Sequence, residues 1–125
     1  MKYLLDTHAI IWFVSGSDKL SLTARNIAAE EECYFSYVSL WEIAIKQSLG
    51  KLDFPVAIPR LREALENSDF KKLPVTDADF ESLKTLPFIH HDPFDRLLIT
   101  QAQNSNLTII TRDTIIPKYD VKVIW

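Results

Sequence analysis

The sequence predicts an α/β fold in which helices cover both faces of a parallel β-sheet. Short apolar segments typical of strands alternate along the chain with longer segments of helical periodicity. The segment Leu107–Thr111 is apolar through its centre, as expected of a central parallel strand. The chain has 125 residues and no linker or repeat, so we expect residues 1–125 to form a single domain.

The predicted strands are short and rich in apolar, β-branched or aromatic residues. The first strand ends at a charged residue, Asp6, and the third is interrupted near its end by Pro74. The predicted strands are Lys2–Leu5, Cys33–Val38, Phe70–Val75, Leu107–Thr111 and Val121–Trp125.

Residues typical of helix N-termini occur between these predicted strands. The dipeptide Asp92-Pro93 is the clearest, because aspartate caps free N–H groups and proline suits the first helical position. An apolar stripe follows it at helical spacing, formed by Phe94, Leu97, Leu98 and Ala102. We therefore expect a core-packed helix that runs to Asn104.

The other helices are predicted from the same kind of signal. Ser21, Ser39 and Thr76 are the expected N-caps, and Gly50 should end the helix that begins at Ser39. The predicted segments are Thr7–Val14, Ser21–Glu31, Ser39–Gly50, Ile58–Glu66 and Thr76–Leu86. The residues expected to face the core include Leu22, Ile27, Ala28, Phe80 and Leu83.

The composition is that of a soluble cytoplasmic protein. Hydrophobic residues make up 47% of the chain and charged residues 25%. The single cysteine excludes an internal disulfide and fits a reducing compartment. The apolar start of the chain is interrupted by Asp6 and His8 and is too short to span a bilayer. We expect a cytoplasmic location and no membrane segment.

The formal net charge of −3 argues against a simple basic nucleic-acid binder. Several of the acids, however, are candidates for one metal site, where bound divalent cations would reverse the sign of the charge. The acidic balance therefore does not exclude a nucleic-acid substrate.

Several carboxylates are expected at one edge of the sheet. In parallel α/β sheets, ligands bind outside the carboxyl ends of the strands. Asp6 ends the first strand and Asp113 follows the fourth. Glu42 and Asp95 lie in the first turns of predicted helices, and Asp92 lies close to Asp95. Such oxygen donors suit Mg²⁺ or Mn²⁺, and no Cys/His pair has the spacing of a zinc site.

Each acid also has a purely structural interpretation. Asp6 and Asp92 can cap helices, and Asp113 can cap a short turn. Ser39 and Glu42 match a capping box. Each acid alone is therefore a weak indicator, and only their joint placement at one edge predicts a metal site.

Basic residues near these acids are candidate phosphate contacts. Lys46 can pair with Glu42 on an otherwise apolar stretch of helix, which favours a functional site. Arg112 and Arg96 are the other two basic candidates. A surface ion pair between Arg96 and Asp92 is an equally good interpretation.

Polar residues complete the candidate substrate contacts. Thr111 could orient a ligand or a water molecule, although an ordinary role in the strand is favoured. His8 is a candidate for substrate contact, and so are His90 and His91. All three histidines are less favoured as metal ligands.

Four segments stand out once the acids are marked: LLDTH at 4–8, SLWEIAIK at 39–46, HHDPFDRLLITQA at 90–102 and TIITRD at 108–113. Together, and in this order, they resemble the PIN-domain family, specifically the VapC-type toxin ribonucleases of type II toxin–antitoxin modules. The HxDPFDRLL form is the specific element, and the other three are informative only in sequence.

The resemblance implies a three-layer α/β/α domain with a parallel five-stranded sheet in the order 3-2-1-4-5. It implies an endoribonuclease that depends on Mg²⁺ or Mn²⁺, since two such cations about 3.5–4 Å apart can drive phosphodiester hydrolysis. Asp6, Glu42 and Asp95 match the core metal-binding acids of the family. Asp113 matches a more variable fourth acid, and Asp92 an auxiliary one.

The resemblance also implies partners. These are an RNA substrate, a second copy of the chain in a homodimer, and a small antitoxin that can build a higher assembly. The apolar residues at 10–13 and 20–22 would suit a groove for the antitoxin, although most of them are better explained as core.

Three other functions are alternatives to this one. A haloacid-dehalogenase-type phosphatase needs a second acid two residues after Asp6, where the chain has His8. A receiver domain needs an aspartate after its middle strand, and Phe70–Val75 supplies none. A non-catalytic PIN-like interaction module, in which the acids serve only as caps, stays open.

Overall fold

The computed structural model describes all 125 residues and contains one five-stranded parallel sheet between two layers of helices. The strands lie in the order β3-β2-β1-β4-β5, which confirms the predicted α/β class and strand order. They are β1 (Lys2–Leu5), β2 (Glu32–Ser36), β3 (Lys71–Leu73), β4 (Thr108–Ile110) and β5 (Val123–Ile124).

Helices connect the strands, as parallel pairing requires. They are α1 (Thr7–Ser15), α2 (Leu22–Glu30), α3 (Tyr37–Ser48), α4 (Ile58–Asn67), α5 (Asp77–Thr85) and α6 (Pro93–Ser105). A short 3-10 turn, Ile116–Lys118, precedes β5. No helix is both long and apolar enough to cross a membrane.

Two hydrophobic clusters lie on opposite faces of the sheet, because successive strand residues point to opposite sides. Leu5 and Ile110 belong to the cluster that packs against α1 and α4, whereas Leu4 and Ile109 belong to the cluster that packs against α6. The β1 strand is central and pairs with β2 on one side and β4 on the other. The strand order reverses at β1, and this is where ligands bind in open α/β sheets.

The predicted start of α6 is confirmed. The Asp92 carboxylate accepts hydrogen bonds from the backbone N–H groups of Phe94 and Asp95, at 2.8 and 3.1 Å, and Pro93 is the first helical residue. Asn106 ends the helix in the left-handed conformation. The predicted caps Ser21 and Thr76 are also confirmed.

The predicted boundary between β2 and α3 is wrong. The strand ends at Ser36, whose hydroxyl accepts from the Val38 backbone N–H at 3.0 Å and caps α3. The β-propensity of Tyr37 and Val38 misled the prediction, since Val38 packs from the helix into the core. Ser39 therefore lies inside the first turn, and the predicted capping box with Glu42 does not form.

Two residues predicted to face the core are exposed. Leu22, the first residue of α2, is 72% exposed, and Phe80 on α5 is 51% exposed. The α5 helix turns Asp79 inward instead, because its carboxylate caps the Thr76 backbone N–H and accepts from Asn104. These two contacts hold Asp79 on the inner side of α5, and Phe80, the next residue, lies on the outer side.

Candidate metal centre

Asp6 lies at the end of β1 and performs two tasks. Its Oδ1 accepts the Ala9 backbone N–H at 2.9 Å, which caps α1, and its Oδ2 accepts the Thr111 hydroxyl at 2.5 Å. The backbone N–H of Asp6 donates to the Ile110 carbonyl, which fixes the ends of β1 and β4 side by side. Burial raises the pKa of Asp6, although the Thr111 and Ala9 hydrogen bonds oppose it. The cap interpretation is thus correct and still leaves a buried carboxylate at the sheet edge.

Glu42 lies in the middle of α3 and is buried. Its Oε1 accepts the Thr7 hydroxyl at 2.6 Å, and its Oε2 pairs with Lys46 Nζ at 2.5 Å. The Thr7 hydroxyl also lies 3.0 Å from the hydroxyl of Ser39. Burial alone would lower the pKa of Lys46, but the hydrogen bond and charge of Glu42 outweigh it and raise that pKa. Lys46 therefore stays charged beside the acids.

Asp95 lies in the first turn of α6, where the helix dipole favours a negative group. Burial nevertheless raises its pKa to about 8, with the negative charges of the neighbouring acids adding to the effect. Those neighbours are Asp92, Asp6, Glu42 and Asp113. A carboxylate that holds a proton near neutral pH because other acids crowd it marks a place where a cation would relieve the repulsion.

Asp113 follows β4 and caps the next turn, as the sequence predicted. Its Oδ1 accepts the backbone N–H groups of Ile115 and Ile116 at 2.7 and 2.9 Å. Its Oδ2 lies 3.3 Å from His90 Nε2, which also lies 3.0 Å from Asp95 Oδ2. Burial would raise the pKa of Asp113, but these backbone and His90 contacts outweigh it and lower that pKa.

The predicted acids meet in one cavity of about 480 Å³. Its walls include the five predicted acids and four predicted substrate contacts: Asp6, Glu42, Asp92, Asp95, Asp113, His8, Lys46, His90 and Arg112. A larger cavity of about 930 Å³ opens at the other end of the strands, but Asp120 is its only acid. We place the candidate site in the smaller cavity, because the carboxylates converge there.

The donor set fits a hard divalent cation. His90, Asp95 and Asp113 each offer a ligand atom, and the three atoms lie within 4.8 Å of one another. Asp6 and Glu42 line the same cavity but stand outside this close group, with their oxygens already hydrogen-bonded. The carboxylate oxygens of Asp95 and Asp113 suit Mg²⁺ or Mn²⁺, and His90 Nε2 lies between these two carboxylates. The family resemblance implied a core set of Asp6, Glu42 and Asp95, of which Asp95 belongs to this close group.

Three predicted contacts, Arg96, Thr111 and His91, do not line the cavity. The Arg96 guanidinium donates to the carbonyls of Leu86, Pro87 and His90, and the ion pair with Asp92 does not form. Thr111 acts through its hydrogen bond to Asp6. His91 is exposed and packs edge-on against Phe88.

Four cavity residues were not predicted in this role from the sequence. His90 was expected only as a substrate contact, and Thr7, Trp12 and Thr114 were not proposed. Trp12 stacks on His8, with ring centroids 5.4 Å apart, and the Arg112 guanidinium lies 4.4 Å from the centre of its ring. The position of His90 just before the Asp92-Pro93 helix start was the one available signal.

The fold and the cavity together define a parallel α/β domain with a carboxylate pocket at the point where its strand order reverses. A family model described as the PIN domain matches residues 3–122. The chain therefore belongs to the PIN domain family, as the sequence segments predicted. None of the curated proteins matches it significantly.

Solved structures share the fold at low sequence identity. VapBC2 from Rickettsia felis, bound to a DNA fragment from its promoter, matches with a TM-score of 0.70 and 15% identity over 100% of this chain and 99% of that one. A toxin–antitoxin complex from Klebsiella pneumoniae matches at 0.67 and 20%, covering 98% and 96%. FitAcB from Neisseria gonorrhoeae matches at 0.66 and 21%, also covering 98% and 96%.

Proposed function

We propose that the chain, as a single PIN domain over residues 1–125, is a metal-dependent endoribonuclease and the toxin of a toxin–antitoxin pair. The observation that carries the proposal is the convergence of acids from positions 6, 42, 92, 95 and 113 in one cavity. Capping alone gives no reason for acids so distant in sequence to share a pocket and crowd Asp95. The family match and the toxin–antitoxin complexes among the similar structures support the same assignment.

The residues present would hold Mg²⁺ or Mn²⁺ through Asp95 and Asp113, with Asp6, Glu42 and Asp92 completing the negative pocket. When bound, such cations supply an activated water and charge neutralisation for phosphodiester hydrolysis. The protein's own part is to hold these carboxylates without rearrangement. It does so by hydrogen-bonding Asp6 to Thr111 and Glu42 to Thr7.

Two positively charged side chains line the cavity and are proposed to bind the substrate phosphate. Lys46 forms an ion pair with Glu42, whereas Arg112 forms no ion pair and packs on the face of Trp12. An uncommitted guanidinium beside an acidic pocket suits a phosphate group next to the scissile one. His8, which lines the same cavity and stacks on Trp12, is the third proposed substrate contact.

The proposed protein partners are a cognate antitoxin and a second copy of the chain, and the proposed location is the cytoplasm. Similar structures that are toxin–antitoxin complexes support the antitoxin. A growth assay tests both toxicity and partnership. Expression of the chain should arrest growth, and co-expression of a partner encoded next to it should relieve the arrest.

The cleavage test uses purified protein and mixed cellular RNA. Cleavage should require Mg²⁺ or Mn²⁺, stop with EDTA, and disappear in Asp6→Asn and Asp95→Asn variants that remain folded. The alternative, a non-catalytic interaction module, is favoured by the fact that Asp6, Asp92 and Asp113 each cap a helix or turn. It would be supported if metal had no effect and these variants mainly lost stability.

A further inference from the structure

His90 is held at both of its ring nitrogens. Nδ1 accepts the Asp92 backbone N–H at 3.2 Å, so a neutral ring carries its proton on Nε2. Nε2 then faces Asp95 Oδ2 at 3.0 Å and Asp113 Oδ2 at 3.3 Å. The imidazole therefore lies between the Asp95 and Asp113 carboxylates, and its position determines the relative orientation of these two groups.

The backbone that carries His90 is fixed by one buried hydroxyl. Tyr119 Oη accepts the backbone N–H groups of Ile89 and His90, at 3.0 and 2.7 Å, and donates to the Pro87 carbonyl at 2.7 Å. Arg96 also donates to Tyr119 Oη, at 3.3 Å. Segment 87–90 contains no helix or strand, so these side-chain bonds replace the ones that regular structure would supply.

Arg96 reinforces the same segment from α6. Its NH1 group reaches the Pro87 and His90 carbonyls, at 2.9 and 3.3 Å, and its NH2 group reaches the Leu86 carbonyl at 3.2 Å. The planar fork of arginine suits several acceptors at fixed angles, which lysine cannot reproduce. Arg96 stands one residue after Asp95, so the helix that presents the acid also holds the histidine loop.

Tyr119 is tied to the other carboxylate as well. Asp113 caps the turn Ile116–Lys118, and the Tyr119 backbone N–H donates to the Ile116 carbonyl at 3.0 Å. One short segment, 113–119, therefore carries both Asp113 and the hydroxyl that fixes His90. Segment 113–119 therefore determines the distance between Asp113 and His90.

We propose that Tyr119, supported by Arg96, is a positioning residue that places the His90 imidazole between Asp95 and Asp113 and thereby preorganises the cation site. The proposal rests on the metal site of the proposed function. Outer groups that orient metal-binding side chains typically affect metal affinity by about 10–100-fold.

The test compares Tyr119→Phe with Tyr34→Phe as a matched control. The Tyr34 hydroxyl bonds only to Glu32, which does not line the cavity. Mn²⁺ affinity is measured by calorimetry, and the ring-nitrogen signals of His90 are recorded by ¹⁵N NMR in EDTA. We expect about 10-fold weaker Mn²⁺ binding and a mixture of His90 tautomers in Tyr119→Phe, with neither change in the control.

A purely structural role for Tyr119 gives a different result. If Tyr119→Phe lowers the melting temperature but leaves Mn²⁺ affinity and the His90 signals as in the unmodified chain, the proposal is overturned. Should this variant not fold, Arg96→Lys is measured in the same way and must weaken Mn²⁺ binding. If the unmodified chain binds no Mn²⁺, the metal site itself fails, and the His90 signals still decide the positioning role.

Discussion

Thr7 donates its hydroxyl to Glu42 Oε1 over 2.6 Å and so joins the first turn of α1 to the middle of α3. Both residues are buried, and no other side chain except Lys46 donates to this carboxylate. The contact fixes an acid of the cavity to the helix that follows β1. It depends on Thr7 being placed by the Asp6 cap immediately before it.

Replacing Thr7 by valine should lower the free energy of unfolding by about 1–3 kcal/mol, because the buried Glu42 loses a hydrogen-bond donor. Urea unfolding measures the change. Thr108→Val is the matched control, since Thr108 is also buried but its hydroxyl has no hydrogen-bond partner in the chain. Equal losses in the two variants would show that the Glu42 contact contributes nothing specific.

The pKa of Asp95 makes a prediction about pH. Its folded-state pKa, about 8, lies above the ordinary value of 3.8, so the folded protein binds this proton more tightly than the unfolded chain between those values. The contribution of Asp95 to the free energy of unfolding is therefore complete below about pH 4 and is lost as the pH rises toward 8. Because of this group, the free energy of unfolding of the metal-free protein should fall as the pH rises over this range.

Asp95→Asn isolates that contribution. The variant should be more stable than the unmodified chain at pH 8 in EDTA, by about 0.5–2 kcal/mol, since a crowded charge has been removed. The difference should shrink toward pH 4. Thermal unfolding of both proteins across this range checks it, and a difference independent of pH would contradict the assigned cause.

Divalent cations should reverse this pH dependence. At a hundredfold excess over its Kd, Mn²⁺ should stabilise the fold by about 2.7 kcal/mol, because it binds only the folded cavity. Binding at pH 7 should also release a proton, since Asp95 is still largely protonated there. Calorimetry in buffers of different ionisation enthalpy measures the release. A stabilisation that persists in Asp95→Asn would place the cation elsewhere.

Much of this site could be predicted from local signals. Asp6 after an apolar strand and Asp92-Pro93 before an apolar stripe identify a strand end and a helix start, whatever the rest of the chain does. The edge rule of parallel sheets then brings the acids together. Such signals lie within a few residues, so they survive tertiary packing.

The errors come from tertiary contacts that no local pattern contains. Ser36 rather than Ser39 caps α3, and Val38 packs into the core from the first turn of that helix. For Arg96 the sequence predicted either a phosphate contact or an ion pair with Asp92, yet its partners are carbonyls of the loop that precedes it in the chain. The contact between His90 and Asp113 joins residues 23 positions apart, so it exists only in the folded domain.

Arg112 offers the last prediction, which concerns substrate binding. It contacts the face of Trp12 and has no anionic partner, so its charge is available to a phosphate. Arg112→Ala should weaken RNA binding and reduce the slope of log affinity against log salt by about 0.7, the value for one contact to a single strand. Mn²⁺ affinity should not change. Arg60→Ala, an exposed arginine of α4 outside the cavity, is the control and should leave the salt slope intact. If both variants shift the slope equally, RNA is held by general surface charge and not by this side chain.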